Sequence, residues 1–430
     1  MRSSYLVGLA ALVARLAFVT WAGRTFPPVE DGFYYHTLAQ RLAQGDGYTW
    51  LWPDGAVTFV AHYPVGYPAL VALLYAVFGA VPAAAMALNA VLGAAAAVAV
   101  CRLCGGSRGI VAGLVVALHP ALVPYTAAVM TEGVTASILV LAVGLTASAR
   151  GSWWRLAAVG LVLGIATLIR PQNLLFAPLF GLLGARKTGR LAGATLVFAV
   201  TVGVCLPWTV RNCVRMERCA LVSMNGGWNL LIGTHTGSGG FTPVAVPAAC
   251  ATVWSESEKD LCFERAARLA ILRDPWAFVA KVPSKLAMTF DYLGAGPWYL
   301  HASNPTVFSA KAKVALGVAE TVAVRGILAA ALIACARLRG AHGRLRWGFA
   351  AVGLGSVVTV HAYVAYLCFA GTVLGLGRRR LGALPVLIPC AAVVVLGTAL
   401  THAMFFGAGR YGLVVVPLVT AVAFVKPRPS

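Results

Sequence analysis

The 430-residue chain is 60% hydrophobic and only 11% charged, with a mean hydropathy of +0.82. That balance excludes a soluble protein of this size and points to a chain that crosses a membrane many times. The 34 Lys and Arg against 13 Asp and Glu give a net charge of +21. These basic residues are scattered between apolar runs, so they read as loops facing anionic lipid and not as a nucleic-acid surface.

The first apolar run, 5–21, is expected to be a retained span: no small-x-small cleavage site stands out before Phe26, and Arg15 interrupts the run. A polar stretch from Glu30 and Asp31 to Tyr48 follows. Phe33, Leu38 and Leu42 lie against Gln40, Arg41 and Gln44 up to a stop at Gly45 and Gly47, which predicts an amphipathic helix. Next come His62-Tyr63-Pro64-Val65-Gly66-Tyr67-Pro68 and a short apolar run, 66–79, expected to lie at the interface. Spans are expected at 83–104, 109–127, 131–149, 153–169, 172–185 and 190–207.

Residues 208–312 differ in composition. They carry polar turns (Asn225 to Asn229, Gly237 to Gly240), most of the remaining carboxylates, and a helix predicted from the capping box Ser255-x-x-Glu258 to a stop before Asp274-Pro275. This reads as a folded extracytoplasmic loop. Its four cysteines permit disulfides, most simply Cys213 with Cys219 and Cys250 with Cys262, or four buried thiols. Further spans are expected at 314–336, 381–404 and 410–426, and an even number of crossings within 347–377.

Basic clusters at Arg102/Arg108, Arg150/Arg155, Arg186-Lys187/Arg190, Arg337 to Arg346, Arg378 to Arg380 and the tail mark the cytoplasmic side. The expectation is therefore an all-α polytopic protein of about 12 crossings. It has an N-terminal membrane module 1–207 with its first outer loop at 22–82, a loop domain 208–312, and C-terminal membrane helices 313–430. All the acidic residues then fall on or near the extracytoplasmic side, where any carboxylate site must be.

Asp31 and Glu30, at a span exit, and Glu132, between two apolar runs, are the candidate catalytic carboxylates. Arg170, Arg211 and Arg410 fall at outer span ends against the positive-inside bias, and a phosphate clamp gives them a purpose. Arg15 reads as interhelical. Cys101-x-x-Cys104 lacks a partner pair for a metal, and His119, His361 and His402 read as satisfied within the bundle.

In order, these residues resemble the GT-C superfamily of membrane glycosyltransferases, in the branch of protein O-mannosyltransferases and lipid A aminoarabinose transferases. The resemblance runs through Asp31-x-x-x-Tyr35 with Ala39 and Gly45-x-Gly47, then Tyr63-Pro64-x-Gly66-Tyr67-Pro68, Thr131-Glu132 and Arg170-Pro171. It continues through Pro207-Trp208-x-x-Arg211-Asn212, Asn225 to Asn229, and Arg410-Tyr411 with Pro417. One departure is the order Glu30-Asp31, followed by Gly32, where the branch often has Asp-Glu. The spacing to Tyr35 and Ala39 favours Asp31 as the family's aspartate and leaves the role of Glu30 open.

The resemblance implies inverting transfer of a hexose or pentose from a polyprenyl-phosphate donor to a lipid, glycan or protein acceptor outside the membrane, with Asp31 as general base. Arg410, with Arg211 or Arg170, would stabilise the leaving phosphate, and Glu132 would position a substrate. Tyr35, His62, Tyr63, Tyr67, Asn229 and Tyr411 are the expected substrate contacts. No metal or other cofactor is expected for the chemistry, with a divalent cation the open alternative, and a bacterial inner membrane is the expected location. The rivals are a transporter or lipid flippase, which should show inverted repeats and broken helices at mid-membrane, an assembly protein using the 208–312 loop, and an O-antigen-type ligase with a diphosphate donor.

Overall fold

The computed structural model describes residues 2–185, 189–338, 342–376 and 384–425. Among the described residues, six helices are long and apolar enough to cross a membrane: Arg2–Thr25 (α1), Pro82–Cys104 (α4), Thr131–Ala149 (α6), Arg190–Arg215 (α9), Ala310–Ala336 (α15) and Leu387–Met404 (α18). Shorter apolar helices stand between them: Gly66–Phe78 (α3), Gly106–Ala117 (α5), Trp153–Ile169 (α7), Tyr363–Leu374 (α17) and Gly409–Phe424 (α19). Three more complete the membrane part, Asp31–Gln44 (α2), Phe176–Gly184 (α8) and Gly343–Val357 (α16). The 347–377 interval is thus two short helices packed together. Arg186, Lys187, Arg378 to Arg380 and the tail from Lys426 lie outside the described residues.

Two helices come out shorter than their sequence expectation. The run 109–127 is broken: α5 ends at Ala117, and after His119-Pro120 the chain resumes as a single 3-10 turn at Pro124–Ala127. Proline disfavours helix in the residue before it and cannot donate. The carbonyls freed there are taken by buried Arg15, which donates to Val116 O at 3.0 Å and Ala117 O at 2.7 Å. Arg15 is therefore an interhelical cap. The run 172–185 likewise opens with a 3-10 turn at Pro171–Leu175, leaving nine residues of α-helix. By contrast α9 runs on to Arg215 with Pro207 inside it, which carries Trp208 and Arg211 onto the helix instead of into the loop.

The fold is not wholly helical. A two-stranded antiparallel hairpin, β1 (Thr49–Leu51) with β2 (Val57–Phe59), pairs Thr49 with Phe59 and Leu51 with Val57. Its turn, Pro53-Asp54-Gly55, is ordinary hairpin chemistry between aromatic and β-branched residues, a signal the amphipathic reading passed over.

The loop region folds as Gly226–His235 (α10), Glu256–Arg273 (α11), Pro275–Ala280 (α12), Val282–Phe290 (α13) and Ala295–Ser303 (α14). Helix α11 starts after Ser255 and stops before Asp274, as its sequence predicts. The capping box does not form, because the Ser255 side chain faces Ser257 and accepts no backbone N–H. Disulfides join Cys213 to Cys219 and Cys250 to Cys262. Cys250 sits in a small core with Leu231, Phe263 and Ala267, so the second bridge ties the loop before α11 to the α10–α11 pair. The six other cysteines are free, and all lie in apolar helices.

Candidate active site

A cavity of about 1000 Å³ lies between the α2 end of the bundle and the loop region. Its walls carry Glu30, Asp31, Tyr35, His62, Tyr63, Glu132, Arg170, Asn229, Arg410 and Tyr411, ten of the twelve sequence candidates. They come from six separate stretches of chain.

Local structure explains how each arrives. Pro27 and Pro28 bring the chain off α1, and Glu30 takes a φ of 54°, a left-handed conformation costing a non-glycine residue of order 1–3 kcal/mol, which turns the chain into α2. Asp31 then stands in the first turn of α2 and Glu132 in the first turn of α6, where the helix dipole favours a carboxylate. Gly32 has a steric reason: a Cβ there would sit 2.9 Å from Tyr299 Oη and 3.1 Å from Val129 O. Close seating of α2 on the turn before α6 requires the glycine, and that contact sets the two carboxylate-bearing helix starts side by side.

The charged groups form one network. Arg410 Nη2 lies 2.6 Å from Asp31 Oδ2, and Arg410 Nε lies 3.5 Å from Glu132 Oε1. Arg170 Nη1 lies 2.8 Å from the same Glu132 oxygen and 3.1 Å from Thr131 Oγ1. Glu132 Oε2 accepts from Tyr125 Oη at 2.7 Å, and Asp31 Oδ1 accepts from Tyr63 Oη at 3.2 Å. With its amide oxygen turned toward the guanidinium, Gln172 accepts from Arg170 Nε at 2.8 Å. Two carboxylates and two guanidiniums balance to zero, which is how buried charge is tolerated.

The members differ in access. The Glu132 side chain is 3% exposed and Asp31 34%. Glu132 is therefore held from several sides, whereas Asp31 opens to the cavity. Burial pushes the Asp31 carboxyl up, but the Arg410 guanidinium and then the Tyr63 hydroxyl outweigh it and hold it below its ordinary value. Asp31 is an anion at neutral pH. Burial lowers the His62 imidazole, keeping it neutral.

Aromatic rings floor the cavity. Tyr34 stacks on Tyr63 at 5.0 Å, His402 stacks on Tyr411 at 4.2 Å, and the Arg170 and Arg410 guanidiniums lie 5.1 and 5.2 Å from the Tyr411 ring. Arg410 also faces Trp298 at 5.8 Å. Sequence reasoning passed over Tyr34, Tyr125, Gln172, Trp228 and Trp298, and set His402 aside as satisfied within the bundle. His402 does make a bond within the bundle, its Nδ1–H donating to Phe406 O at 2.8 Å, yet it also lines the cavity. Its place eight residues before Arg410, in the last turn of α18, was the available signal.

Two candidates lie elsewhere. Arg211 donates to Val60 O at 2.9 Å and Tyr48 O at 2.8 Å and stacks on Trp208 at 4.7 Å, so its fork is filled by the backbone of the loop between α2 and α3. The extension of α9 past Pro207 puts it there. Tyr67 is fully buried, with its hydroxyl on Asn89 at 3.2 Å, and packs α3 onto α4.

The same first loop is tied to the loop region. Glu256 Oε1 accepts from the Ala61 N–H at 2.6 Å, while the Met224 N–H donates to Ala61 O at 2.8 Å. Tyr48 Oη donates to Tyr63 O at 2.8 Å. Residues 60–63 thus form a strap fastened by α9, by the loop region and by Tyr48, and the strap presents Tyr63 to Asp31. Burial pushes the Glu256 carboxyl up to about 7, against the opposing pull of the Ala61 and His62 N–H groups and Arg211.

No protein-family model matches the sequence, and comparison with curated proteins yields no match. Solved structures do match. The oligosaccharyltransferase of Archaeoglobus fulgidus in its apo form is similar with a TM-score of 0.47 and 13% identity, over 98% of this chain and 50% of that one. The same enzyme, AglB, with an inhibitory peptide and a dolichol-phosphate has a TM-score of 0.45 and 14% identity, over 98% and 49%. ArnT from Cupriavidus metallidurans, bound to undecaprenyl phosphate, has a TM-score of 0.41 and 14% identity, over 97% and 77%. The chain spans about half the length of the oligosaccharyltransferase chains it matches.

Proposed function

We propose that this protein is a membrane glycosyltransferase that moves a sugar from a polyprenyl-phosphate donor to an acceptor hydroxyl. The observation that carries the reading is the paired cluster of Asp31, Arg410, Glu132 and Arg170 opening into a 1000 Å³ cavity with aromatic walls. A half-open carboxylate against a guanidinium is what a base and a phosphate clamp need to be.

In this reading the acceptor oxygen bonds to the anomeric carbon as the bond from that carbon to the phosphate oxygen breaks, with inversion. The hydroxyl proton passes to Asp31 and the electron pair leaves with the polyprenyl phosphate. The cluster is neutral before donor arrives, so the phosphate must take Arg410 from Asp31. Losing that partner raises the affinity of Asp31 for a proton, and donor binding itself thereby makes the carboxylate a better base. Arg170 stays with Glu132, Thr131 and Gln172 and acts as a positioning residue. Glu30, with its side chain exposed beside Asp31, is placed to meet acceptor and not the clamp.

The reading includes a sidedness. With about twelve crossings and the basic clusters inside, the cavity and residues 208–312 would lie outside the cytoplasm, in a bacterial inner membrane, and the reading needs no metal in the chemistry. The two disulfides in that region fit an oxidising compartment. A transporter or flippase would hold its charges at mid-membrane, whereas Asp31 and Glu132 stand at helix starts at one end of the bundle.

The test is sugar transfer in proteoliposomes offered a panel of polyprenyl-phosphate sugars, with Asp31→Asn beside the wild type. Turnover of one donor, lost in Asp31→Asn while donor binding persists, supports transferase and base together. Activity that survives moves the base to Glu30 or Glu132. Folded protein that binds and consumes no donor favours transport.

A further inference from the structure

A second cavity, of about 750 Å³, lies at the end of the bundle opposite the cleft, between the start of α5, the end of α15, the start of α18 and the end of α19. Its wall is apolar, formed by Val111, Ile333, Ile388, Val422, Phe424 and Val425, and two arginines, Arg108 and Arg337, stand on its lining.

Both arginines are exposed, and among the described residues neither side chain has a hydrogen bond, an ion pair or a ring contact. Their neighbours differ. Arg102 packs over Tyr5 at 5.9 Å. Arg346 is buried and donates to Cys335 O and Ala336 O, satisfying the carbonyls at the end of α15 that Arg337 would otherwise cap. Arg337 is left with no structural task. Arg108 stands in the first turn of α5, where a cation meets the positive end of the helix dipole, an unfavourable place unless an anion lies beside it. Apart from Ser107 and the two arginines the wall is apolar, so most of the groove is a poor home for water, whereas an acyl chain would give the side chains along it contacts. Val111, on its edge, is half exposed, so the groove opens sideways toward lipid.

We propose that this groove binds one anionic glycerophospholipid, with its phosphate held by Arg108 and Arg337 and an acyl chain along the apolar wall. Basic pockets between membrane helices on the positive side recognise phosphate headgroups in this way. The site is separate from the cleft and does not depend on the proposed reaction. Its ligand is drawn from the leaflet on the basic side and not from the donor.

Native mass spectrometry of the full chain, in mixed micelles with phosphatidylglycerol or phosphatidylcholine, tests this. The expected result is one phosphatidylglycerol retained in preference to phosphatidylcholine, with that preference falling about tenfold, equivalent to the loss of about 1.4 kcal/mol, in Arg108→Gln/Arg337→Gln. The pair Arg190→Gln/Arg344→Gln, exposed arginines of the same charge outside this groove, should retain it. Equal retention of both lipids by the wild type, or no difference between the two double variants, overturns the site. Displacement of the lipid by millimolar inorganic phosphate would also overturn it, since the groove would then be a free-anion site and the chain contact immaterial.

Discussion

The two ends of the bundle use arginine in opposite ways. At the cleft end Arg170, Arg211 and Arg410 are each filled by partners: Glu132 with Thr131, the carbonyls of Tyr48 and Val60, and Asp31 with Glu132. At the far end Arg108 and Arg337 have none among the described residues. The carboxylates and both disulfides go with the first group. Charge bias permits an unpaired arginine at the basic side of a membrane, where anionic lipid is at hand, whereas an arginine at the acidic end works against that bias and needs a partner from the chain. At the cleft end the chain itself supplies the partners, whereas at the far end the proposed partner is a lipid phosphate from outside the chain.

The sharpest way to break that comparison is at Arg410. If the pair with Asp31 is a clamp and base, Asp31→Asn should lower turnover by roughly 10²–10⁴ with donor binding kept. Arg410→Ala should lose both turnover and donor binding. Single-turnover transfer and equilibrium donor binding, read side by side, separate the two. Equal loss of binding in both variants would make the pair a structural unit only.

Arg170 sharpens it next. Arg170→Ala leaves Glu132 buried without its main partner and should destabilise the chain by roughly 3–5 kcal/mol, with Glu132→Gln in the same chain recovering much of the loss. Arg337→Ala, at the unpaired end, should stay within about 0.5 kcal/mol of wild type. Denaturation followed by tryptophan fluorescence in one detergent compares all three.

How much of this the sequence shows depends on the distance over which each residue acts. Asp31, Glu132, Arg170 and Arg410 stand out because charge in an apolar chain is costly at any position, and ten candidates do reach one cavity. The boundaries were harder. The break after Ala117 depends on Arg15, about a hundred positions away, reaching the carbonyls that Pro120 frees. Arg211 has the same local look as Arg170 at a span end, and only the continuation of α9 past Pro207 decides that one faces the strap and the other the cleft. Gly32 looked like a departure from pattern, but its reason is the Tyr299 hydroxyl, contributed from the far side of the loop region. Tyr411 was legible singly and His402 was read only as a bundle residue, because their stacking needs the turn after α18 to fold back.

Arg211→Ala tests the placement that the sequence left open. Two carbonyls lose their donor, which should cost about 1–3 kcal/mol and loosen residues 48 and 60, while donor affinity stays near the wild-type value. Loss of donor binding out of proportion to stability would return Arg211 to the cleft.

The smallest expected effect is at Glu256, the carboxylate that fastens the strap to the loop region. Its folded value of about 7 lies above the ordinary value of 4.5 because burial disfavours the anion. Between those two pH values the folded chain keeps a proton that the unfolded chain has released. The stabilising contribution is therefore full below the ordinary value and is lost as pH rises through about 7. Arg211 and Asp260 are the charged groups that act on it, one opposing the shift and one adding to it. Amide exchange at residues 60–63, corrected for the intrinsic rate, should quicken a few-fold from pH 5 to pH 8 in the wild type. It should stay level in Glu256→Gln, which keeps an acceptor for the Ala61 N–H but cannot titrate. A wild-type profile as flat as the variant's would mean the strap is fastened by Met224, Arg211 and Tyr48 alone, and that the loop region grips the Asp31 side of the cleft without sensing pH.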